Sequence, residues 1–424
     1  MERSLSAAVS GINASQTYLD TIGNNIANSS TDGFKQQSVL FSDLLNQQVA
    51  GATAPVPPAR GGVNPTSVGS GVQVAATVSN FAEGALVQTG VSSNAAIQGQ
   101  GFFVVNAGGT TVYTRAGDFS LDASGNLVTP SGGLVQGWPA VNGVVNPNGP
   151  TTAVKIPKGV QAPPVATSQV VLGGNLSSSA TTPQDITATA YDSQGNTVPI
   201  TLTFTPNGAG SWSLTGTVPN PGGGAATNLW NTAQKVTFGA NGQIATINGT
   251  AVTAQTAIAV NNLPVGYQWA TGATLSIVMP APGSSTALTQ VAGASSAGAT
   301  SQNGFSAGQL TSYSIGSTGT ITGSFTNGST EVLGQISLAS FANDQGLSNL
   351  GNNYYAVSAN SGTAQVGVPG TGARGSLVGG TVEGSNVSLA RELTDLVTAQ
   401  TNYQANTKVI STTAAVLQAL VNMP

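Results

Sequence analysis

Residues 389–421, LARELTDLVTAQTNYQANTKVISTTAAVLQALV, decide the fold. Alternating steps of four and three residues pick out Leu389, Leu393, Leu396, Gln400, Tyr403, Thr407, Ile410, Ala414, Leu417 and Val421. The same steps near the other end pick out Leu5, Val9, Ile12, Gln16, Leu19, Gly23 and Ile26. A repeat averaging about 3.5 residues keeps one seam of a helix facing a partner. Two such seams at opposite ends of one chain predict N- and C-terminal α-helices that pair as a coiled coil. They also predict an assembling subunit, because seams of this length bury against neighbours. Ser385 or Asn386 is the expected N-cap of the second helix, with Ser388 just ahead of its stripe. Gly11 and Gly23 are the weak points of the first.

Between the helices the period changes to two. Val198, Ile200, Leu202 and Phe204 alternate with Pro199, Thr201, Thr203 and Thr205, the pattern of a half-buried antiparallel strand. Asn241-Gly242 between Val236/Phe238 and Ile244/Ile247 is a hairpin signal. Runs at Gly101–Val105, Thr110–Thr114 and Asn353–Val357 also read as strands, with Asp122–Asn126 as a turn. Val39, Leu40, Phe41, Leu44 and Leu45 read as a helical turn or two. Pro55, Pro57, Pro58 and Pro65 mark an extended arm, and Ser284–Gly304 reads as a flexible connection. The predicted class is therefore mixed and mainly β, with nested antiparallel β-domains between paired terminal helices.

Charged residues make up only 6% of the 424, and the net charge is −4, so no basic field exists to hold a nucleic acid. With neither His nor Cys, imidazole bases, thiolate chemistry, disulfides and ordinary zinc sites are excluded. Gly370-Thr-Gly372-Ala-Arg-Gly375 matches a dinucleotide fingerprint in form, but lacks the preceding strand and following helix that such a site needs. The carboxylate pairs Asp118/Asp122 and Glu392/Asp395 read as turn chemistry and as a polar helix face near Arg391. No cofactor, metal or catalytic residue is expected. There is no run of about 18 apolar residues to insert in a membrane, and the opening residues lack the apolar core of a cleaved signal peptide.

The terminal motifs carry a resemblance. Asn24-Asn25-Ile26-Ala27-Asn28, followed by Thr31-Asp-Gly33-Phe34-Lys35, is similar to the N-terminal signature of the rod and hook axial proteins of the bacterial flagellum. Ser385-Asn386-Val387, continuing into Glu392-Leu393 and Tyr403-Gln404-Ala405-Asn406, is similar to their C-terminal signature. Gly99–Val104, Tyr113–Phe119 and Gly125–Val128 resemble the inner β-domain of the same family. A large β-rich insertion, then Phe325–Gly328 and Gly346–Asn353, look like a hook rather than a rod subunit. The insertion itself matches by position and β character only.

The resemblance implies a helical domain of residues 1–30 with 385–424, a connecting arm at 31–70, an inner β-domain of 71–160 with 305–384, and an outer one at 161–304. It implies a homopolymer that forms a curved tube and carries torque from rod to filament. Implied partners are the distal rod protein, the hook cap, the hook-filament junction protein and the flagellar export apparatus. The implied location is the extracellular hook and basal body, reached without a cleaved signal. Two other readings remain at this level: a distal rod or hook-associated protein, and a secreted β-rich adhesin or surface-layer protein.

Overall fold

A computed structural model describes residues 2–55, 61–141, 143–157, 159, 161–263, 266–270 and 272–422. Pro57 and Pro58 of the expected arm lie outside these residues. The chain forms two compact units. One comprises Met1–Pro157, Tyr313–Gly323 and Glu331–Pro424, and the other Lys158–Ser312 and Ser324–Thr330.

The first unit holds both helices, α1 (Glu2–Ala27) and α2 (Leu389–Val421). No proline interrupts either. Beyond Ala27 the chain enters a turn in which the Asn28 amide donates to the Asn24 carbonyl at 3.1 Å. The helices run antiparallel. Asn25 meets Glu392 at one end, and Gly11 meets Asn406 two heptads further on.

Four strands follow α1. β1 (Gln37–Asp43) pairs antiparallel with β4 (Val72–Ser79), and β2 (Asn46–Ala50) pairs with β3 (Thr66–Gly69). The described part of the expected arm is thus a two-stranded ribbon. Its base rests on α1: the Tyr18 and Phe41 rings meet edge to face at 5.7 Å, and the Val72 amide donates to Ser10 Oγ at 3.2 Å. The apolar run from Val39 to Leu45, expected to be helical, instead supplies strand β1. So short a run fits either period, and the pairing offered by Val72–Ser79 decides it.

The β-body of this unit centres on the strand Phe102–Ala107. It pairs antiparallel with Thr110–Thr114, Leu134–Val141 and Leu338–Ser340. Phe102, Tyr113 and Tyr355 are buried, and with Phe81 and Phe341 they form a chain of edge-to-face rings. Edge-to-face pairs add roughly 0.5–1.5 kcal/mol each beyond the area they bury. The Gly-rich tail ahead of α2 is also structured. Ser376–Gly379 pairs with Ala95–Gln98, and Thr381–Glu383 pairs with Leu86–Gln88.

The second unit packs two sheets on one core. In the seven-stranded sheet, Thr197–Pro206 lies between Gln184–Tyr191 and Ser211–Val218. Val198, Ile200, Leu202 and Phe204 are each no more than 1% exposed, so the period-two alternation holds at every step. The Asn241-Gly242 hairpin forms between Gln234–Phe238 and Ile244–Ile247. The five-stranded sheet departs from the antiparallel expectation. Gln169–Asn175 pairs parallel with Ser276–Met279 and Leu288–Thr289. Parallel pairing needs a long crossover, and here the whole first sheet serves as that crossover. Gly298–Gln302 pairs with Gln169–Asn175 too, so Ser284–Gly304 is partly sheet and not the flexible connection its composition implied.

Candidate functional site at the helix junction

The residues of the two terminal signatures converge in the first unit, where α1 ends and α2 begins. Glu383 closes the strand Thr381–Glu383, and its side chain is fully buried. Lys35 Nζ donates to Glu383 Oε1 at 2.6 Å and to the Ala82 carbonyl at 2.8 Å. Arg115 donates from Nε to Oε2 at 3.0 Å and from Nη2 to Oε1 at 3.2 Å. The Gly84 amide donates to Oε1 at 2.8 Å. Arg115 Nη1 also donates to the carbonyls of Gly99 and Gly101, each at 2.8 Å. One carboxylate therefore ties together three distant segments of sequence.

The charges are unequal in number, and the titration follows from that. Burial opposes ionisation of Glu383, but Arg115 and Lys35 overcome it and hold the carboxyl below the usual range. Lys35 is also shifted down. Burial and the neighbouring Arg115 guanidinium outweigh what Glu383 gives back. A guanidinium stays charged under all ordinary conditions, so Arg115 takes the larger share of the single anion. Burial pushes the nearby Tyr355 hydroxyl up to about 12.

Gly33 stands where only glycine fits. Its φ is +70°, its amide donates to the Glu383 carbonyl at 2.6 Å, and a Cβ there would lie 2.5 Å from the Ala116 backbone. Phe34 beside it is buried. Asn28 Nδ2 donates to the Asn24 carbonyl, and Thr31 Oγ1 donates to Asn28 Oδ1, which fixes the turn out of α1.

A second network joins the helices directly. Asn25 Nδ2 donates to Glu392 Oε2 at 3.2 Å and to the Gln37 carbonyl at 2.8 Å, while its Oδ1 accepts from the Gln37 amide at 3.0 Å. Gln36 Nε2 donates to Glu392 Oε1. Glu392 is 2% exposed, so it belongs to the helix interface and not to the polar face the sequence assigned it. Asn386 does not cap α2. Its Oδ1 accepts from the Gln36 amide at 2.7 Å, and its Nδ2 donates to the carbonyls of Asn80 and Ala82. Ser385 Oγ accepts from the Val387 amide at 3.3 Å, a local turn.

The predicted stripes are only partly what the two helices bury against each other. On α1 the buried residues are Ala8, Gly11, Ala14, Ile22 and Asn25, and on α2 they are Glu392 and Ala399. Leu5, Ile12, Leu19, Ile26, Leu396 and Ile410 flank this face, half-buried. Val9, Leu389, Leu393, Gln400, Tyr403 and Leu417 are exposed, as are Asn24 and Ala27 of the signature. Small side chains allow the closest approach of helix axes, so the Ala/Gly face wins the intrachain contact. The larger apolar stripe is left turned to one side. The sequence signal was present as Ala8, Gly11 and Ala14 at three-residue spacing. The larger residues of the heptad mask it.

Of the remaining motifs, the Gly370–Gly375 loop is filled by its own Arg374, which donates to the Val368 carbonyl and to Thr371 Oγ1. Asp122 accepts the amides of Ser124 and Asn126, an Asx turn. Among the described residues no group of three or more Asp or Glu is placed to hold a metal ion.

Both terminal regions, and the β-regions between them, match known protein families. The family model of the flagella basal body rod protein matches residues 5–35, and that of the flagellar basal body rod FlgEFG protein C-terminal matches 378–423. The flagellar hook protein FlgE/F/G D1 domain matches 96–196, and the flagellar basal body protein FlaE D2 domain matches 161–305. The flagellar hook protein FlgE of Treponema pallidum is 35% identical over 100% of both chains. That of Escherichia coli is 34% identical over 99% of each, and that of Salmonella typhimurium is 35% identical over 99% of this chain and 100% of its own.

The chain belongs to the flagellar hook protein family. It is a structural subunit of the hook, and these full-length matches favour the hook over the rod and adhesin readings. A solved structure of Helicobacter pylori flagellar hook protein FlgE2 aligns with 71% of this chain and 100% of its own, at a TM-score of 0.49 and 14% identity. No helix among the described residues is long and apolar enough to cross a membrane. The junction therefore unites the two matched terminal regions of a hook subunit through Lys35, Glu383, Asn25 and Glu392.

Proposed function

We propose that this subunit polymerises into a curved tube through the outward half of its helical stripes, and that the tube serves as a flexible joint carrying torque to the filament. One observation carries the reading. After α1 and α2 have packed, Leu389 and Leu393 remain 49% and 47% exposed, and Leu417 remains 40% exposed. Neighbouring copies would cover them, with Leu5, Val9, Ile12, Leu19, Ile26, Leu396, Gln400, Tyr403 and Ile410 completing the seam. In this reading residues 1–30 and 385–424 form the inner layer, 31–70 bridge copies, 71–160 with 305–384 form the inner β-layer, and 161–304 the outer one. Between Asp192 and Glu331 the sequence carries a single charge, Lys235. Surfaces with so few ion pairs can slide as the tube bends. The distal rod, hook cap, hook-filament junction protein and export apparatus are the proposed partners, and the extracellular hook is the proposed location.

Leu393→Asp tests the seam. It lies off the buried α1 contact, so the helix pair should survive, while a charge placed in an apolar interface between copies should abolish sedimentable polymer. Normal polymer from this variant, with its helix content retained, would refute assembly through the stripe.

A further inference from the structure

The sequence has seven Asn-Gly steps, beginning at Asn142, Asn148, Asn207, Asn241, Asn248, Asn303 and Asn327. We infer that Asn207-Gly208 is a self-modification site, at which this hook subunit converts a neutral amide into a carboxylate without an enzyme. The reaction needs the following backbone nitrogen free to attack and the Asn side chain free to turn toward it. The Gly208 nitrogen bonds to Asn207 Cγ, ammonia leaves, and a succinimide ring forms. Water then opens the ring at either carbonyl, giving aspartate or isoaspartate at position 207.

The structure separates this step from the others. The amides of Gly149, Gly242 and Gly328 donate to the carbonyls of Asn146, Gly239 and Phe325, and that of Gly304 donates to Gln302 Oε1. Gly249 has no such bond among the described residues, but Asn248 is clamped at both ends: Oδ1 accepts from the Lys235 amide and Nδ2 donates to Gln234 Oε1. Asn142 lies outside the described residues. At Asn207 the side chain is exposed and makes one bond, from Nδ2 to Ser213 Oγ, and the Gly208 amide has no acceptor among the described residues. The Asn207 amide donates to the Ser211 carbonyl and the Ser211 amide to the Gly208 carbonyl, and Gly208, Ala209 and Gly210 all have positive φ, at 79°, 47° and 71°.

The product has a place to go. Ser213 is the cross-strand partner of Lys235. Side chains on directly opposed residues lie about 5 Å apart. A carboxylate at 207 would therefore form beside the one charged side chain between Asp192 and Glu331.

The test is peptide mass mapping of the full chain aged at pH 8.5, with isoaspartate counted by methyltransferase labelling. Asn207 should convert faster than Asn148, Asn241, Asn248, Asn303 and Asn327 by roughly two- to tenfold, the factor for one net hydrogen bond that must first break. In the chain unfolded in urea the six should convert at similar rates. Any of the five matching Asn207 in the folded chain overturns the inference. So does a preference for Asn207 that persists in urea, since the structure would then not be its cause.

Discussion

Gly11 of α1 and Asn406 of α2 meet so closely that a Cβ on Gly11 would stand 2.7 Å from Asn406 Nδ2. The hydrogen that serves as the Gly11 side chain leaves room for the Asn406 amide. Gly11→Val should therefore cost stability despite the better helix propensity of Val over Gly, a gain of only a few tenths of a kcal/mol. We expect a net loss of about 1–3 kcal/mol, the range for overpacking. Asn406→Ala in the same background should recover most of it. A double-mutant cycle read by thermal melting of the assembled protein checks the coupling. Additive single effects would mean that the two residues do not share one space.

Glu383 serves two cations, and that makes its loss unlike theirs. Glu383→Gln leaves Lys35 and Arg115 buried without an anion, and should cost about 3–5 kcal/mol. Lys35→Met leaves Glu383 still paired with Arg115 through two hydrogen bonds. It also removes the cation whose burial is least compensated, and should cost about 1 kcal/mol. Urea unfolding of both variants gives the comparison. Equal losses would show that Arg115 does not hold Glu383 once Lys35 is gone.

Local patterns carried much of this fold, and long-range pairings carried the rest. The alternation through Val198–Phe204 and the Asn241-Gly242 turn were legible because one strand or one hairpin states its own period. The parallel pairing of Val170 with Ile277 was not, since nothing local announces a partner so far away in sequence. At the junction, Lys35 and Arg115 lay inside quoted motifs and Glu383 just ahead of one, yet spacing gives no sign that both cations end on a carboxylate 348 and 268 residues away. The heptads correctly placed two paired helices. The stripe is not the face the two helices bury within one chain, because hydrophobicity marks what can be buried while Ala8, Gly11 and Ala14 mark how closely helices can come.

Asp118 gives a pH dependence of opposite sign to that of Glu383. Its Oδ1 is buried without a hydrogen-bond partner among the described residues, and burial, with the nearby Asp32 charge, pushes its carboxyl above the ordinary range. The folded state therefore binds this proton more tightly than the unfolded chain does. Stability from this group is present below the unfolded pKa and is lost as pH rises through the raised folded value. Asp118→Asn should stabilise the protein at pH 7, by at most about 1 kcal/mol for a group only half-buried. The gain should vanish near pH 3. A gain of the same size at both pH values would assign it to packing instead of charge. Glu383 runs the other way, with its contribution lost as pH falls below the ordinary carboxylate range.

The second unit should govern the shape of the polymer and not its formation. It has its own core, built from Val170, Leu172, Phe204, Trp212 and Leu288 among others, and it contains neither terminal helix. Replacing residues 161–304 by a short Gly/Ser linker leaves α1, α2, Lys35, Glu383 and the exposed stripe in place. Tubes should still form, because the proposed seam is untouched. Their curvature should change, because the weakly charged surface proposed to slide during bending is gone. Electron microscopy of the truncated chain under polymerising conditions separates the two roles. Failure to form any tube, with both helices still folded, would show that contacts of the second unit drive assembly and that the stripe alone does not.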